Sequence, residues 1–281
     1  MRLSRRAVLK GALAAGVGGV TGTGTYGFLY ERHQLGVTRA SVAVTGLPPA
    51  LANLRIGLLT DVHHSRWVSH EDVVGAVNAL MAERPDLIVL GGDYVTWGDR
   101  RYLGPVAEAL APLTAPHGVF AILGNHDDDH PTATALSKNG AVVLRDARTR
   151  IVVADAPIDL VGIRYWTRRG ADISALLRGA NGTVMLLAHD PRRLTEAAGL
   201  GIPLVLSGHT HGGQIVLPGV GAVAAAKFPV VAGLGRQNRT TMFVSRGVGT
   251  VYVPVRINCP PEVAVLTLTP EENFRNQSAA G

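Results

Sequence analysis

Cysteine occurs once, at Cys259, in a chain of 281 residues. An intrachain disulfide and any multi-cysteine zinc site are thereby excluded. The count leaves the compartment open, because exported bacterial proteins without disulfides are common. Excess charge is also missing from most of the chain. The formal net charge is +6, but Arg2, Arg5, Arg6, Lys10, Arg32 and Arg39 stand against Glu31 within residues 1–39. The body from residue 40 onward is left nearly neutral, so a nucleic-acid partner loses its electrostatic support. Internal repeats and low-complexity linkers are absent. A hydrophobic share of 47% suits a single globular domain with a sizeable core.

The charges that do occur early form an address. Arg5 and Arg6 lie in "SRRAVLK", and residues 11–30 then carry no charge. A basic start before an apolar stretch is the pattern of an export signal. The arginine pair resembles a twin-arginine signal, whose route carries folded proteins. The stretch is only mildly apolar, with seven glycines, and has no clean Ala-x-Ala end. At about 1.5 Å per residue it just reaches across a bilayer as a helix. Residues 1–39 are therefore expected to be a twin-arginine-type signal or an N-terminal membrane anchor. Residues 40–270 are the expected functional domain, and residues 271–281 a disordered tail. The expected partner of the first segment is the twin-arginine export machinery, with the protein exported across or anchored in the cytoplasmic membrane.

From Leu54 onward, apolar runs alternate with helix-like segments. "LRIGLLT", "DLIVL", "GVFAIL", "TVMLLA" and "IPLVLS" suit strands buried on both faces. "SHEDVVGAVNALMAER" opens with Ser69 and Asp72 in a capping-box arrangement and repeats apolar residues at helical spacing. "RRYLGPVAEALAPL" predicts a second helix. The runs "AVVL", "RIVVA", "IDLVGI", "TMFVS", "TVYVP" and "EVAVLTL" predict a strand-rich later half with few helices. Residues 31–53 predict a lead-in strand and a proline turn.

Chemistry gathers where the runs end. "GLLT" leads into Asp61 and His63, "LIVLG" into Asp93, "AIL" into Asn125, "MLLA" into His189, and "LVLS" into His209 and His211. In a mostly parallel sheet these C-terminal strand ends share one edge. Carboxylates and imidazoles concentrated there need a compensating charge, and a pair of divalent cations supplies it. Oxygen and imidazole donors without thiolate suit Mn, Fe, Zn, Co or Mg. A bridging ligand must offer two oxygens, which makes Asp93 the candidate. Glycines beside His209 and His211 let the backbone turn sharply enough to bring both rings onto one centre.

The ordered set "DVH", "GGD", "GNHD", "AHD" and "GHTH" resembles the calcineurin-like metallophosphoesterase superfamily across roughly residues 54–268. "GHTHGGQ" and the closing "VPVRINCPPEVAVLTL" resemble its exported bacterial, YkuE-like branch. The resemblance implies a four-layer α/β/β/α sandwich of two mixed sheets. It implies one metal on Asp61, His63 and His211, a second on Asn125, His189 and His209, and Asp93 bridging. His126 would assist the leaving group, with Asp127 orienting and charging it, while a hydroxide attacks phosphorus without a covalent enzyme intermediate.

The substrate implied is a phosphorylated small molecule, lipid or cell-wall polymer, as a mono- or diester. Alternatives are a UDP-diacylglucosamine pyrophosphatase-like enzyme of the envelope, or an envelope-binding protein that kept the fold without turnover. Arg164, Tyr165 and Trp166 stand where relatives tend to carry an acidic residue, and either line a substrate pocket, with Arg164 pairing phosphate, or stack on the surface. Pro203 stands where relatives often show aspartate. His64, Asp128, Asp129 and His130 flank the motifs without joining them, and Cys259 is expected to pack rather than react.

Overall fold

The computed structural model describes residues 18–271, so the arginine pair and residues 272–281 of the expected tail lie outside it. Side-chain alternation within the apolar runs sets the layers. β2 (Arg55–Leu59) and β3 (Leu87–Leu90) turn Ile56, Leu58, Leu87 and Val89 to one core and Leu59, Ile88 and Leu90 to another. A strand greasy on both faces must be covered twice.

The first sheet has six strands in the order β1 (Gly36–Val44), β12 (Glu262–Pro270), β2, β3, β4 (Val119–Ala121) and β5 (Val142–Val143). β2 through β5 are parallel, while β12 runs antiparallel to β2 and parallel to β1. The second six-stranded sheet orders β10 (Gly233–Gln237), β11 (Thr240–Val244), β9 (Leu204–Ser207), β8 (Thr183–Leu187), β7 (Ala156–Gly162) and β6 (Ala147–Val153). Its central strands are parallel and its two edge strands antiparallel.

The sheets meet through Ile56, Leu58, Phe120 and Ile122 on one side and Leu160, Met185, Leu206 and Phe243 on the other. α2 (His70–Ala82), α3 (Leu103–Leu110) and α4 (Asp129–Lys138) cover the outer face of the first sheet. α5 (Gly170–Leu176) and α6 (Leu194–Gly199) cover that of the second. The result is the expected four-layer α/β/β/α sandwich of mixed sheets. A further helix, α1 over residues 18–29, sets Gly27 so closely on residues 255–257 that a Cβ there would lie 2.5 Å from the Arg256 carbonyl oxygen. Among the described residues no helix is long and apolar enough to cross a membrane.

Three details depart from the sequence expectations. The boundary placed between residues 39 and 40 falls inside β1, whose pairing with β12 is continuous from Gly36↔Glu262 to Val44↔Pro270. "TVYVP" is not a strand: Tyr252 adopts φ 62 and the Val251 N–H is taken by Gln214 Oε1 at 2.8 Å, which makes the segment a loop. α5 and α6 are too short to give a helical period, and β10, "GLGRQ", has no apolar run and owes its form to pairing with β11.

α2 carries the capping box anticipated at Ser69, with Asp72 N–H donating to Ser69 Oγ at 3.1 Å and Ser69 N–H to Asp72 Oδ2 at 2.9 Å. Ser69→Ala is expected to cost about 1 kcal/mol and to lower the melting temperature by roughly 2–4 °C. Urea and thermal unfolding check this, and hydrolytic rates should not change.

Candidate metal centre

The C-terminal ends of β2, β3, β4, β8 and β9 open on one edge, and the turns there are knitted to one another. Asp61 N–H donates to Gly92 O at 2.9 Å, His63 N–H to Asp93 O at 3.0 Å, and Gly249 N–H to Asp61 O at 2.7 Å. Asp61, His63, Asp93, His209 and His211 all adopt left-handed backbone, with φ of 52, 47, 56, 73 and 52. Non-glycine residues pay about 1–2 kcal/mol each for that conformation, and such strain clusters where a site must be held.

Two glycines permit the close approach. A Cβ on Gly208 would lie 2.2 Å from Asp61 Oδ2, and one on Gly124 2.0 Å from Asp93 Oδ1. With neither present, the His209 N–H donates to both Asp61 oxygens at 3.0 Å, and the His126 N–H to Asp93 Oδ1 at 2.9 Å. Thr60 Oγ1 adds a donor to Asp61 Oδ2 at 2.8 Å.

All seven residues expected as ligands lie in the turns at this edge, and the donor atoms of Asp61, His63, Asp93, His189, His209 and His211 converge. His63 Nε2 and His211 Nε2 face each other at 3.1 Å. His211 Nε2 lies 3.5 Å from Asp61 Oδ1, His63 Nε2 3.4 Å from Asp93 Oδ2, and His189 Nε2 3.1 Å from the same oxygen. His189 Nε2 lacks the alignment of a hydrogen bond and, like Asn125 Oδ1, is buried without a partner. Its other nitrogen, Nδ1, donates to Gly91 O at 2.8 Å, which fixes the ring with Nε2 turned inward. The donor atoms of two triads, Asp61–His63–His211 and Asp93–His189–His209, lie within 4.8 Å of one another in each, and His63, Asp93 and His126 form a third. Buried imidazole and carboxylate donor atoms crowded this closely fit cations.

Protonation follows the same crowding. Burial pushes His126 down to about 4 and His209 down to about 3. Burial also opposes charge on His189, but the Asp93 and Asp61 carboxylates hold it up at about 10. Against its own desolvation, Asp93 is held well below the usual carboxylate range by His189 and His63. A proton on His189 thus balances the carboxylates in the metal-free chain, and metal ions displace such protons on binding.

Asp127 departs from its expected role. Its carboxylate makes no bond to the His126 ring. Oδ2 accepts the N–H groups of Asp93 and Gly124, each at 2.8 Å, and Oδ1 that of Tyr94 at 2.9 Å. The His126 ring is fixed by the Trp97 backbone N–H, which donates to Nδ1 at 3.0 Å. A neutral ring so held carries its proton on Nε2.

The flanking residues divide. Arg164 is tied to Asp146 through Nε at 2.6 Å and its own N–H at 3.0 Å, so its guanidinium is committed elsewhere. Tyr165 does reach the centre, 5.3 Å from the His209 ring, while Trp166 stacks edge-on outside it and is exposed. His64 is buried with Nδ1 on Val68 O, Asp128 pairs with Arg100, and Asp129 with Arg145, which also meets His130.

Sequence reasoning missed an aromatic rim and a sulfur strut. Trp97 packs 4.2 Å from the His126 ring, and Phe228 stands edge-on to His209 at 5.3 Å. Cys259 is buried and its thiol donates to the His211 carbonyl at 3.2 Å. None lies inside a histidine or aspartate motif, and only the left-handed φ of 52 at Trp97 marks its loop as unusual.

A calcineurin-like phosphoesterase profile matches residues 54–213, which includes His209 and His211. The chain belongs to the calcineurin-like phosphoesterase family. Membership makes it a metal-dependent phosphohydrolase, and its imidazole and carboxylate clusters fit a dinuclear divalent metal centre. The chain is similar to the Bacillus subtilis metallophosphoesterase YkuE, named as uncharacterized, at 30% identity over 95% of this chain and 98% of YkuE. It is similar to the Escherichia coli phosphodiesterase YaeI at 34% identity over 77% of this chain and 83% of YaeI. A dimetal phosphatase structure from Danio rerio aligns at 12% identity and a TM-score of 0.42, covering 70% of this chain and 88% of that one.

Asp127→Ala is expected to release the Asp93 turn. Three hydrogen bonds to a charged acceptor are lost, each worth about 1.5–3 kcal/mol, so metal affinity should fall at least about tenfold. Competition with a chromophoric chelator measures it. An unchanged affinity would mean the turn is held by other contacts.

Proposed function

We propose that the chain hydrolyses phosphoesters at this edge with a pair of divalent ions. Asp61, His63 and His211 would hold one ion, and Asn125, His189 and His209 the other, with Asp93 between them. The supporting observation is the 3.1 Å approach of His63 Nε2 to His211 Nε2, which makes electrostatic sense around a cation. When bound, such a pair polarises phosphoryl oxygens and lowers the pKa of water.

The chain's own contribution is positioning. Asp61 and Asp93 are locked by backbone amides, so they need not reorganise during the reaction. His126, its Nδ1 occupied by the Trp97 N–H, presents an Nε2 proton to the leaving-group oxygen and stabilises the charge that develops there. A diester is the favoured substrate form, supported by the name of YaeI as a phosphodiesterase. The same reading includes export or membrane anchoring, supported by Arg5, Arg6 and the uncharged residues 11–30.

Chelator-treated protein should be inert toward bis(p-nitrophenyl) phosphate and p-nitrophenyl phosphate, and added Mn should restore turnover. His126→Ala should keep its metal while kcat falls by about 10²–10⁴-fold. Metal-loaded wild type that cleaves neither ester would sink the proposal.

A further inference from the structure

The turn that delivers His209 and His211 continues into residues 212–226, which carry no charged side chain. That segment and the loop at 251–253 enclose a groove of about 300 Å³. Its walls include Ile215, Ala224, Ala225, Phe228, Val251 and Val253, together with His209 and His211 themselves. Whatever fills the groove therefore abuts the reacting phosphate. The apolar surface does not stop at the lip. Leu217, Val220, Val223, Tyr252 and Val253 are exposed around it, a density that marks a binding surface rather than scattered surface residues. Lys227 also lines the groove, 5.4 Å from the Phe228 ring, and offers a cation to an anionic group there.

A second observation points the same way. Ile215 bridges to Ile257, and Ile257 in turn meets Gly27 of α1. α1 leaves Val20, Tyr26 and Leu29 exposed, and Tyr30 follows them. The uncharged lip is thus linked through Ile257 to an apolar helix.

We infer that this groove holds the hydrocarbon substituent of an amphiphilic phosphoester, with its phosphate at the metal centre. The inference rests on the hydrolase reading above and names its substrate class. A small hydrophilic ester would leave the groove empty, whereas each fully buried methylene strengthens binding by about fourfold.

The full chain, loaded with Mn, is assayed on p-nitrophenyl methyl, butyl and octyl phosphate diesters below their micellar concentrations. Calorimetry in parallel compares methylphosphonate with octylphosphonate, which cannot be hydrolysed. Octyl should exceed methyl by at least about tenfold in kcat/KM and in affinity. Val253→Asp and Ala224→Asp, on opposite walls and both at exposed positions, should each shrink that ratio toward one with unchanged circular dichroism. Equal handling of methyl and octyl compounds, with bis(p-nitrophenyl) phosphate still cleaved, overturns the inference and leaves the hydrolase standing. A ratio that persists in both variants overturns the location. Tight octylphosphonate binding without turnover of any ester supports the groove and removes the hydrolase reading instead.

Discussion

Two carboxylates that water cannot reach, Asp61 and Asp93, govern the architecture around them. Each is almost completely buried, and a buried carboxylate without compensation is costly. Backbone amides from neighbouring turns meet part of that demand: His209 donates to Asp61 and His126 to Asp93. The remainder is left to positive charge, a proton on His189 when no metal is present and cations when there are. The left-handed residues at the strand ends follow from the same need, because only that backbone brings both amides and side chains inward. The stiffness to hold them comes from parallel strands packed on both faces.

Roles within the centre are divided between side chains that would meet ions and groups that hold those side chains. Asp127 belongs to the second kind, although it neighbours His126 in sequence. Its three backbone bonds join the turn after β3 to the turn after β4, which fixes the distance between Asp93 and Asn125. Cys259 does similar work from the C-terminal side by anchoring the His211 carbonyl. Arg256, wholly buried, gathers the carbonyl oxygens of Arg246, Gly247, Gly249 and Cys259 and so braces the loop behind Asp61.

Much of this is legible in the sequence. Runs apolar on both faces marked β2, β3, β8 and β9, and the residue types at their ends announced the centre, because few other demands put Asp, Asn and His at successive strand ends. What escaped depends on contacts distant in sequence. The aromatic rim formed by Trp97 and Phe228 has no periodicity. The resemblance implies that Asp127 orients His126, whereas hydrogen-bond geometry sends its oxygens to backbone 33 and 34 residues away. "TVYVP" carried strand composition but lacks a partner strand, and composition alone does not make a ladder.

The order of strands in the first sheet has a bearing on biogenesis. β12, at the end of the described chain, lies between β1 and β2. Until residues 262–270 have been made, the first strand has no neighbour and the second keeps an open edge, which is a template for wrong pairing. Assembly of the sheet therefore waits for synthesis of residues 262–270, and the two unpaired edges are open to wrong association during that interval.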